Sequence, residues 1–164
     1  YGQLGLGSQE NMYASPQVIS SLNNVKLIAC GGDFVFCQTK DEVYSWGTNA
    51  KGQLGNMELS FLDPVLSPQE CDDVPGDIID IKCGHDHTLI LTSRQQVWSC
   101  GYNHKGQLGH SSGELLSACF RIVYLTKIKI TRIACGYFHS MCLDSDNNLY
   151  VFGDNRYGQL GLGD

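Results

Sequence analysis

The feature that most constrains this chain is an internal repeat. The tetrapeptide Gly-Gln-Leu-Gly occurs four times, beginning at Gly2, Gly52, Gly106 and Gly158, at spacings of 50, 54 and 52 residues. Self-similarity at a fixed period indicates a repeat architecture, in which one small structural unit is copied along the chain. The sequence is therefore predicted to fold as an array of such units.

Two further motifs recur with the same period and in a fixed order. The second motif, Ile-x-Cys-Gly, begins at Ile28, Ile81 and Ile133. The third is an apolar run that ends in Gly-x-Asn, and it spans residues 43–49, 97–103 and 149–155. Glycine makes up 19 of the 164 residues, about 12% against a usual share of about 7%, so recurring tight turns are expected.

Short runs of branched and aromatic residues within each period predict β-strands. These strands are predicted at 25–30, 34–39, 43–47, 80–83, 88–92, 97–101, 130–135, 140–143 and 149–153. A weaker fourth strand is predicted after each long loop, at 16–19, 64–66 and 120–125. A helical turn is predicted only around 115–119.

Four short antiparallel strands in about 50 residues are typical of a blade of a β-propeller. The turn Gly-x-Asn-x-x-Gly-Gln-Leu-Gly recurs in the successive repeats. Its glycines and asparagine are expected to adopt positive φ, and its leucine to fill the seam between blades. Its glutamine is expected to hydrogen-bond backbone groups of the turn. The fold class predicted is all-β, a partial propeller of about three four-stranded antiparallel blades.

Composition limits the classes of partner. The chain has 42% hydrophobic and 17% charged residues and a formal net charge of −6, as expected of an ordinary globular domain. The negative charge argues against a nucleic-acid partner or an anionic lipid surface. No apolar run approaches the roughly 20 residues needed to cross a bilayer, so no membrane partner is expected.

The eight cysteines favour a reducing compartment. Six of them lie inside apolar runs, where a free thiol behaves as a small hydrophobic side chain. The chain also has no Asn-x-Ser/Thr acceptor for glycosylation. A location in the cytoplasm or the nucleus is therefore expected, without a choice between the two.

Candidate chemistry is weak throughout the chain. Cys83, His85 and His87 would lie on one face of a strand, as metal ligands could. The other copies do not keep this set, because the first has Gly32 and Phe34 in the histidine slots and the third has Tyr137 in the first of them. His139 and Ser140 are adjacent, so on a strand their side chains point to opposite faces and cannot share a proton. No phosphate-binding loop or nucleophile elbow is present. No catalytic, cofactor-binding or metal-binding residue is predicted.

The longest segments between motifs are the candidate partner-binding loops. Long loops on a rigid framework are where binding residues concentrate, although an acidic loop can also be a solvated insertion that keeps a domain soluble. The residues predicted for partner binding are Glu70, Asp72, Asp73, Asp77, His110 and Glu114.

The repeated motifs resemble those of the regulator of chromosome condensation repeat family. The resemblance rests on Cys-Gly-x-x-His-Ser at 135–140, on the strand end at 43–49 and on the Gly-Gln-Leu-Gly turns. In that family about seven blades close a ring, so this chain is expected to be a piece of a longer propeller. The repeats are predicted at 1–40 (incomplete), 41–93, 94–145 and 146–164 (incomplete). One departure is Phe34, which stands where the later copies have His87 and His139.

The function expected is a non-catalytic scaffold for protein–protein interaction. The resemblance implies two alternatives, because members of the family include an exchange factor for the small GTPase Ran and propellers attached to larger enzymes. The first alternative is a guanine nucleotide exchange factor or regulator for a Ran-like GTPase. The second is a regulatory or substrate-binding propeller of a larger ubiquitin ligase or protein kinase. A protein partner is expected in every case.

Overall fold

Three antiparallel sheets make up the chain in a computed structural model that describes residues 1–8, 10, 12–110 and 116–163. The first sheet has the order β1-β2-β3-β4. Its strands are β1 (Leu27–Cys30), β2 (Phe34–Gln38), β3 (Val43–Gly47) and β4 (Val65–Glu70).

The second and third sheets repeat this arrangement. The second has the order β5-β6-β7-β8, with β5 (Ile78–Cys83), β6 (His87–Thr92), β7 (Val97–Gly101) and β8 (Leu116–Arg121). The third consists of β9 (Ile130–Cys135), β10 (His139–Asp144) and β11 (Leu149–Gly153). All neighbouring strands run antiparallel. The all-β prediction is confirmed.

The sheets pack face to face, as the burial of β6 on both faces shows. Every residue of β6 is buried, because the second sheet is covered on both faces. Ile90 lies in the hydrophobic core shared with the first sheet. Leu89 and Leu91 point the other way and lie in the core next to the third sheet, as the alternation of side chains along a strand requires. The sheets are therefore stacked blades of a partial propeller.

The predicted repeats do not have the same bounds as the sheets. With the repeat bounds predicted from the sequence, residues 41–93 supply β3 and β4 to the first sheet and β5 and β6 to the second. Residues 94–145 bridge the second and third sheets in the same way. Each of these two predicted repeats therefore ties two neighbouring sheets together covalently.

The predicted helical turn around 115–119 is wrong for its described part. Residues 116–119 belong to β8, because Phe120 pairs with Ser99 and Leu116 pairs with Gly101 on the neighbouring strand β7. Pairing with a formed sheet edge overrides the weak helical preference of a short apolar segment.

Two of the three predicted fourth strands, at 120–125 and at 16–19, differ from the structure. The strand predicted at 120–125 ends at Arg121 and is followed by a short 3-10 helix (Val123–Leu125), because the Ile122 amide donates to the carbonyl of Val97 and the Leu125 amide then donates back to Ile122. Residues 16–19 form no strand, since no described strand lies beside them to complete a ladder. Within the described residues, no helix has the length and apolar character that a bilayer crossing requires.

Candidate functional site

The repeated glutamine stabilises the turn that carries it. The side-chain oxygen of Gln53 accepts a hydrogen bond from the amide of Lys51 at 2.8 Å. Gln107 does the same for Lys105 at 2.9 Å, and Gln159 for Tyr157 at 2.9 Å. The predicted role of this residue is confirmed. Both Gln53 and Gln107 are buried; Nε2 of Gln53 also donates to Asp86, whereas Nε2 of Gln107 has no hydrogen-bond partner.

The repeated asparagine acts differently from the prediction. Asn49, like its counterparts in the later copies, does not have positive φ; the glycines of the turn do, with φ of +71° at Gly52 and +63° at Gly55. Instead, Oδ1 of Asn49 accepts a hydrogen bond from the amide of Leu54 at 3.2 Å. Leu54 is fully buried, which confirms that the leucine fills the seam between sheets.

The tight turns before β2, β6 and β10 lie at one end of the stacked sheets, together with the loops that follow β3, β7 and β11. The Tyr102 amide donates to the carbonyl of Asp86 at 2.9 Å, which joins one such loop to one such turn. Neighbouring turns are linked as well, because the His85 amide donates to the carbonyl of Tyr137 at 3.0 Å. We call this end the turn face; it comprises residues 31–33, 48–51, 84–86, 102–105, 136–138 and 154–157.

Five aromatic rings meet on the turn face between the second and third sheets. The ring of His85 lies 4.2 Å from that of Tyr137, centroid to centroid, and Tyr137 lies 4.5 Å from Phe138. Phe138 lies 5.8 Å from His104, which stacks on Tyr102 at 4.4 Å. These separations are those of aromatic pairs in contact. We call these five residues the aromatic platform.

The platform is open to solvent and is not required by the repeat. Tyr137 is 59% exposed, and His104 is exposed as well. The equivalent positions of the first sheet are occupied by Gly32, in the slot of His85 and Tyr137, and by Ala50, in the slot of His104. Because aromatic residues are enriched in protein interfaces, this local surface is the strongest candidate site in the described chain.

Asp86 fixes the orientation of His85 at the edge of the platform. Its Oδ2 lies 2.8 Å from Nδ1 of His85, and its Oδ1 accepts a hydrogen bond from Gln53 Nε2 at 3.4 Å. Both side chains of the pair are only partly exposed. The imidazole is thus held in position for stacking on Tyr137.

The residues considered as metal ligands have separate environments. His85 contacts Asp86 and the platform, whereas His87 is fully buried beside Ser140. Burial raises the pKa of Cys83 well above its usual value, which keeps the thiol protonated. Among the described residues no group of three His, Cys, Asp or Glu side chains could hold a metal ion.

Ser140 pairs with a histidine of the neighbouring sheet. Its Oγ donates to the carbonyl of Gln107 at 2.7 Å and lies 3.0 Å from Nε2 of His87. Since its proton is used for Gln107, Ser140 accepts from the Nε2–H of His87. Burial, with a smaller contribution from the charge of His139, lowers the pKa of His87 to about 4. Nδ1 of His87 has no partner, so this is an inter-sheet contact and lacks the third member of a catalytic triad.

The acidic residues predicted for partner binding do not form one surface with the platform. Glu70 ends β4, opposite Tyr44 in the register. The charge of Glu42, and to a smaller extent burial and Asp72, raise the pKa of Glu70. These carboxylates therefore lie together at the end of the first sheet away from the turn face.

The remaining predicted residues make local contacts. Asp73 accepts a hydrogen bond from the amide of Met57 at 3.0 Å, and Asp77 pairs with Arg94 at 3.2 Å. His110 is partly buried, with Nε2 3.1 Å from Oγ of Ser99, and burial lowers its pKa. Glu114 lies outside the described residues.

Models of the regulator of chromosome condensation (RCC1) repeat match the chain in each period. One model matches residues 1–38, 40–91 and 95–143, and a second matches residues 78–107 and 130–159. Together these matches cover most of the chain.

Curated relatives and solved structures agree with this. The chain is 35% identical to the probable E3 ubiquitin-protein ligase HERC3 of Homo sapiens and 36% identical to the ultraviolet-B receptor UVR8 of Arabidopsis thaliana, in each case over 99% of its length. It spans only 16% of the first relative and 37% of the second. A chain in the crystal structure of Kap60 bound to yeast RCC1 (Prp20) superposes with a TM-score of 0.76 at 27% identity, over 87% of this chain and 35% of that one. This chain therefore belongs to the regulator of chromosome condensation (RCC1) repeat family.

Proposed function

We propose that the chain is a non-catalytic protein-interaction module whose turn face binds a partner protein. The observation that carries this proposal is the aromatic platform, which exposes Tyr137 at a position where the first sheet has only a glycine. Exposed aromatic side chains on a rigid framework supply contact area at a low entropic cost, which is the usual chemistry of a binding surface.

The environments of the nucleophilic side chains support a non-catalytic role. Ser140 is fully buried and its hydroxyl proton is used by Gln107. Burial raises the pKa of Cys71 and Cys142 to about 12, so both are thiols at neutral pH and are poor nucleophiles.

We also propose that the protein works in a reducing compartment, the cytoplasm or the nucleus. All eight cysteines are free, and five of them are buried among apolar side chains. The free thiols support a protein that is kept reduced.

A second candidate is a regulatory or substrate-binding propeller within a larger ubiquitin ligase. The observation that favours it is the 35% identity to the probable ubiquitin-protein ligase HERC3, of which this chain spans 16%. Reading the coding sequence on both sides of these residues decides the matter. A ligase or kinase domain on the same chain supports the second candidate, and its absence from the whole reading frame contradicts it.

Nucleotide exchange on a Ran-like GTPase stays a prediction from the family resemblance. The test mixes the full-length protein that contains these residues with a panel of small GTPases loaded with a fluorescent nucleotide. Accelerated release from one member supports exchange, and unchanged release from all members contradicts it.

The proposed interaction surface is tested by site-specific photocrosslinking. A photoreactive phenylalanine analogue replaces Tyr137 in one sample and Tyr124 in the other. Tyr124 is a matched control, because it is 71% exposed but lies outside the turn face. After illumination in an extract of the source cells, we expect a defined protein adduct from position 137 and none from position 124. Adducts from neither position, or the same adducts from both, would contradict the proposal.

A further inference from the structure

Cationic side chains surround the aromatic platform. The ammonium group of Lys51 lies over the ring of Tyr102, 4.9 Å from its centroid. Burial lowers the pKa of His104, and the charges of Lys105, Arg156 and Lys51 lower it further. All three cations therefore act on the same part of the platform, in a chain whose net charge is −6.

The carboxylates nearby are already paired. Asp154 accepts three hydrogen bonds from the side chain of Arg156, at 2.9 and 3.1 Å from Nε and at 3.0 Å from Nη2. Asp86 is engaged by His85 and Gln53. Neither Lys51 nor Lys105 has a carboxylate partner among the described ion pairs. Lys51, over the half-buried ring of Tyr102, and Lys105, whose charge acts on His104 and Asp154, are thus placed to pair with a ligand carboxylate.

We propose that the aromatic platform binds an acidic peptide segment of a partner protein. Carboxylates of the peptide pair with Lys51 and Lys105, and an apolar side chain of the peptide packs on Tyr137 and Phe138. This assignment rests on the proposed function and specifies the chemistry of the partner. Complementary charge around an apolar contact fixes which partners bind and speeds their encounter.

A single-stranded nucleic acid would use the same kinds of side chain but fits less well. Such ligands need a basic groove that follows successive phosphates. Here only two lysines of the turn face lack a carboxylate partner among the described ion pairs, which is too few to follow the successive phosphates of a polyanion. A peptide can place two carboxylates beside the lysines and remain neutral elsewhere.

The test measures binding of short fluorescein-labelled peptides by fluorescence anisotropy. One peptide contains glutamate and phenylalanine, a second has glutamine in place of each glutamate, and a third has lysine. We expect the glutamate peptide to bind, the glutamine peptide to bind roughly fivefold more weakly, as expected when two exposed ion pairs are lost, and the lysine peptide not to bind. Equal binding of the glutamate and glutamine peptides overturns the proposal.

Two pairs of variants locate the site. Lys51→Ala with Lys105→Ala is compared with Lys127→Ala with Lys129→Ala, which removes the same charge from exposed positions outside the turn face. Only the first pair is expected to weaken binding, by roughly fivefold. Tyr137→Ala is compared with Tyr124→Ala, and only Tyr137→Ala is expected to weaken binding. Equal effects of either matched pair overturn the proposal.

Two further outcomes separate this inference from the proposed function. An oligouridylate that binds more tightly than the glutamate peptide and displaces it makes the platform a nucleic-acid surface and overturns the inference. If the glutamate peptide fails to bind while position 137 still crosslinks to a protein, the interaction module stands and the acidic ligand is wrong. If both fail, both proposals are overturned.

Discussion

The two interfaces between the three sheets use the same backbone but different side-chain chemistry. Between the first and second sheets, the slot after the Cys-Gly turn holds Phe34, and Thr88 of the facing strand donates to the carbonyl of Gln53 at 3.0 Å. Between the second and third sheets, the same slot holds His87, which is hydrogen-bonded to Ser140. The first interface is thus largely apolar, and the second contains a buried polar network.

At both interfaces the position after the Cys-Gly turn holds a ring, apolar in Phe34 and polar in His87. A methyl group on Gly31 would lie 2.0 Å from the ring of Phe34, and one on Gly84 would lie 2.1 Å from the ring of His87. The glycine of the turn leaves room for either ring. The two interfaces differ in their response to acid and to the loss of a hydrogen-bonding partner, since the second has the histidine His87 where the first has Phe34.

The largest expected effect comes from filling the space beside the ring at the second interface. Gly84→Ala would place its methyl group against His87 and 2.7 Å from the carbonyl oxygen of Gly136 in the neighbouring sheet. A loss of about 3 kcal/mol or more in the free energy of unfolding is expected, because neither group can move away in a packed core. Gly31→Ala, where the three nearest atoms all belong to the side chain of Phe34 and none to the backbone, is expected to cost less.

Urea denaturation of both variants measures this difference. Gly76→Ala is the control, because nothing lies within 4 Å of the added methyl group and φ is not positive there. It is expected to change stability by no more than about 0.5 kcal/mol. A smaller loss at Gly84 than at Gly31 would show that the second interface is the looser one.

The next effect is a pH dependence carried by His87. Its pKa is about 4 in the folded state and 6.5 in the reference state, so between these values the unfolded chain binds a proton that the folded chain does not. Stability is therefore complete above pH 6.5 and falls as the pH is lowered through about 4, by about 3 kcal/mol in all.

The variant His87→Phe, which copies the first interface, isolates this contribution. It is expected to remove the His87 share of the decline, while the decline due to carboxylates remains. Unfolding free energies are compared between the two proteins at neutral pH and near pH 4.5. Parallel curves for the two proteins would show that His87 does not titrate with a lowered pKa.

A smaller effect is expected from the two inter-sheet hydroxyls. Ser140→Ala leaves both the Nε2–H of His87 and the carbonyl of Gln107 without a partner, which costs about 2 kcal/mol. Thr88→Val removes only the donor to Gln53 and costs about 1 kcal/mol. Chemical denaturation of the single and combined variants checks this, with the combination expected to be additive because the two sites have no shared partner. Equal losses would mean that the His87 bond contributes nothing.

The smallest effect on stability is expected at the platform. Tyr137→Ala removes a mostly exposed ring and should change the free energy of unfolding by no more than about 0.5 kcal/mol. Thermal unfolding checks that the fold is intact. A large loss of stability would mean that the platform is a packing feature of the second and third sheets.

Most of the fold was predictable because the strand signal is local. Alternating apolar residues between glycine-rich turns define β3, β7, β9 and β11 at their observed bounds. The outer strands were harder to predict, because their residues become strands only by pairing with a neighbouring strand. From the sequence alone, residues 116–119 suggest a helical turn, and it is pairing with β7 that makes them a strand. Residues 16–19 contain residues typical of strands but have no described neighbouring strand to pair with.

The candidate site was largely missed from the sequence. The search favoured loop length and acidic charge, whereas the platform consists of rings that are far apart in the chain and meet only when two sheets stack. Tyr102 and Phe138, for example, both approach His104. A usable signal was present: aligned turn positions show glycine at Gly32 but rings at His85 and Tyr137. Where the copies of a repeat differ at an exposed position, the packing of the fold does not require the difference, so such a position is a candidate for binding.

Each complete predicted repeat supplies two strands to one sheet and two to the next. This arrangement determines how such chains can gain or lose a repeat. Removing one period between Gly52 and Gly106 would bring β8 directly after β3. Since β3 pairs with β4 as β7 pairs with β8, the spliced chain would still form one whole four-stranded unit and leave no half-built one. Gene rearrangement at the Gly-Gln-Leu-Gly turns can therefore add or delete blades while every strand keeps a partner of its own type.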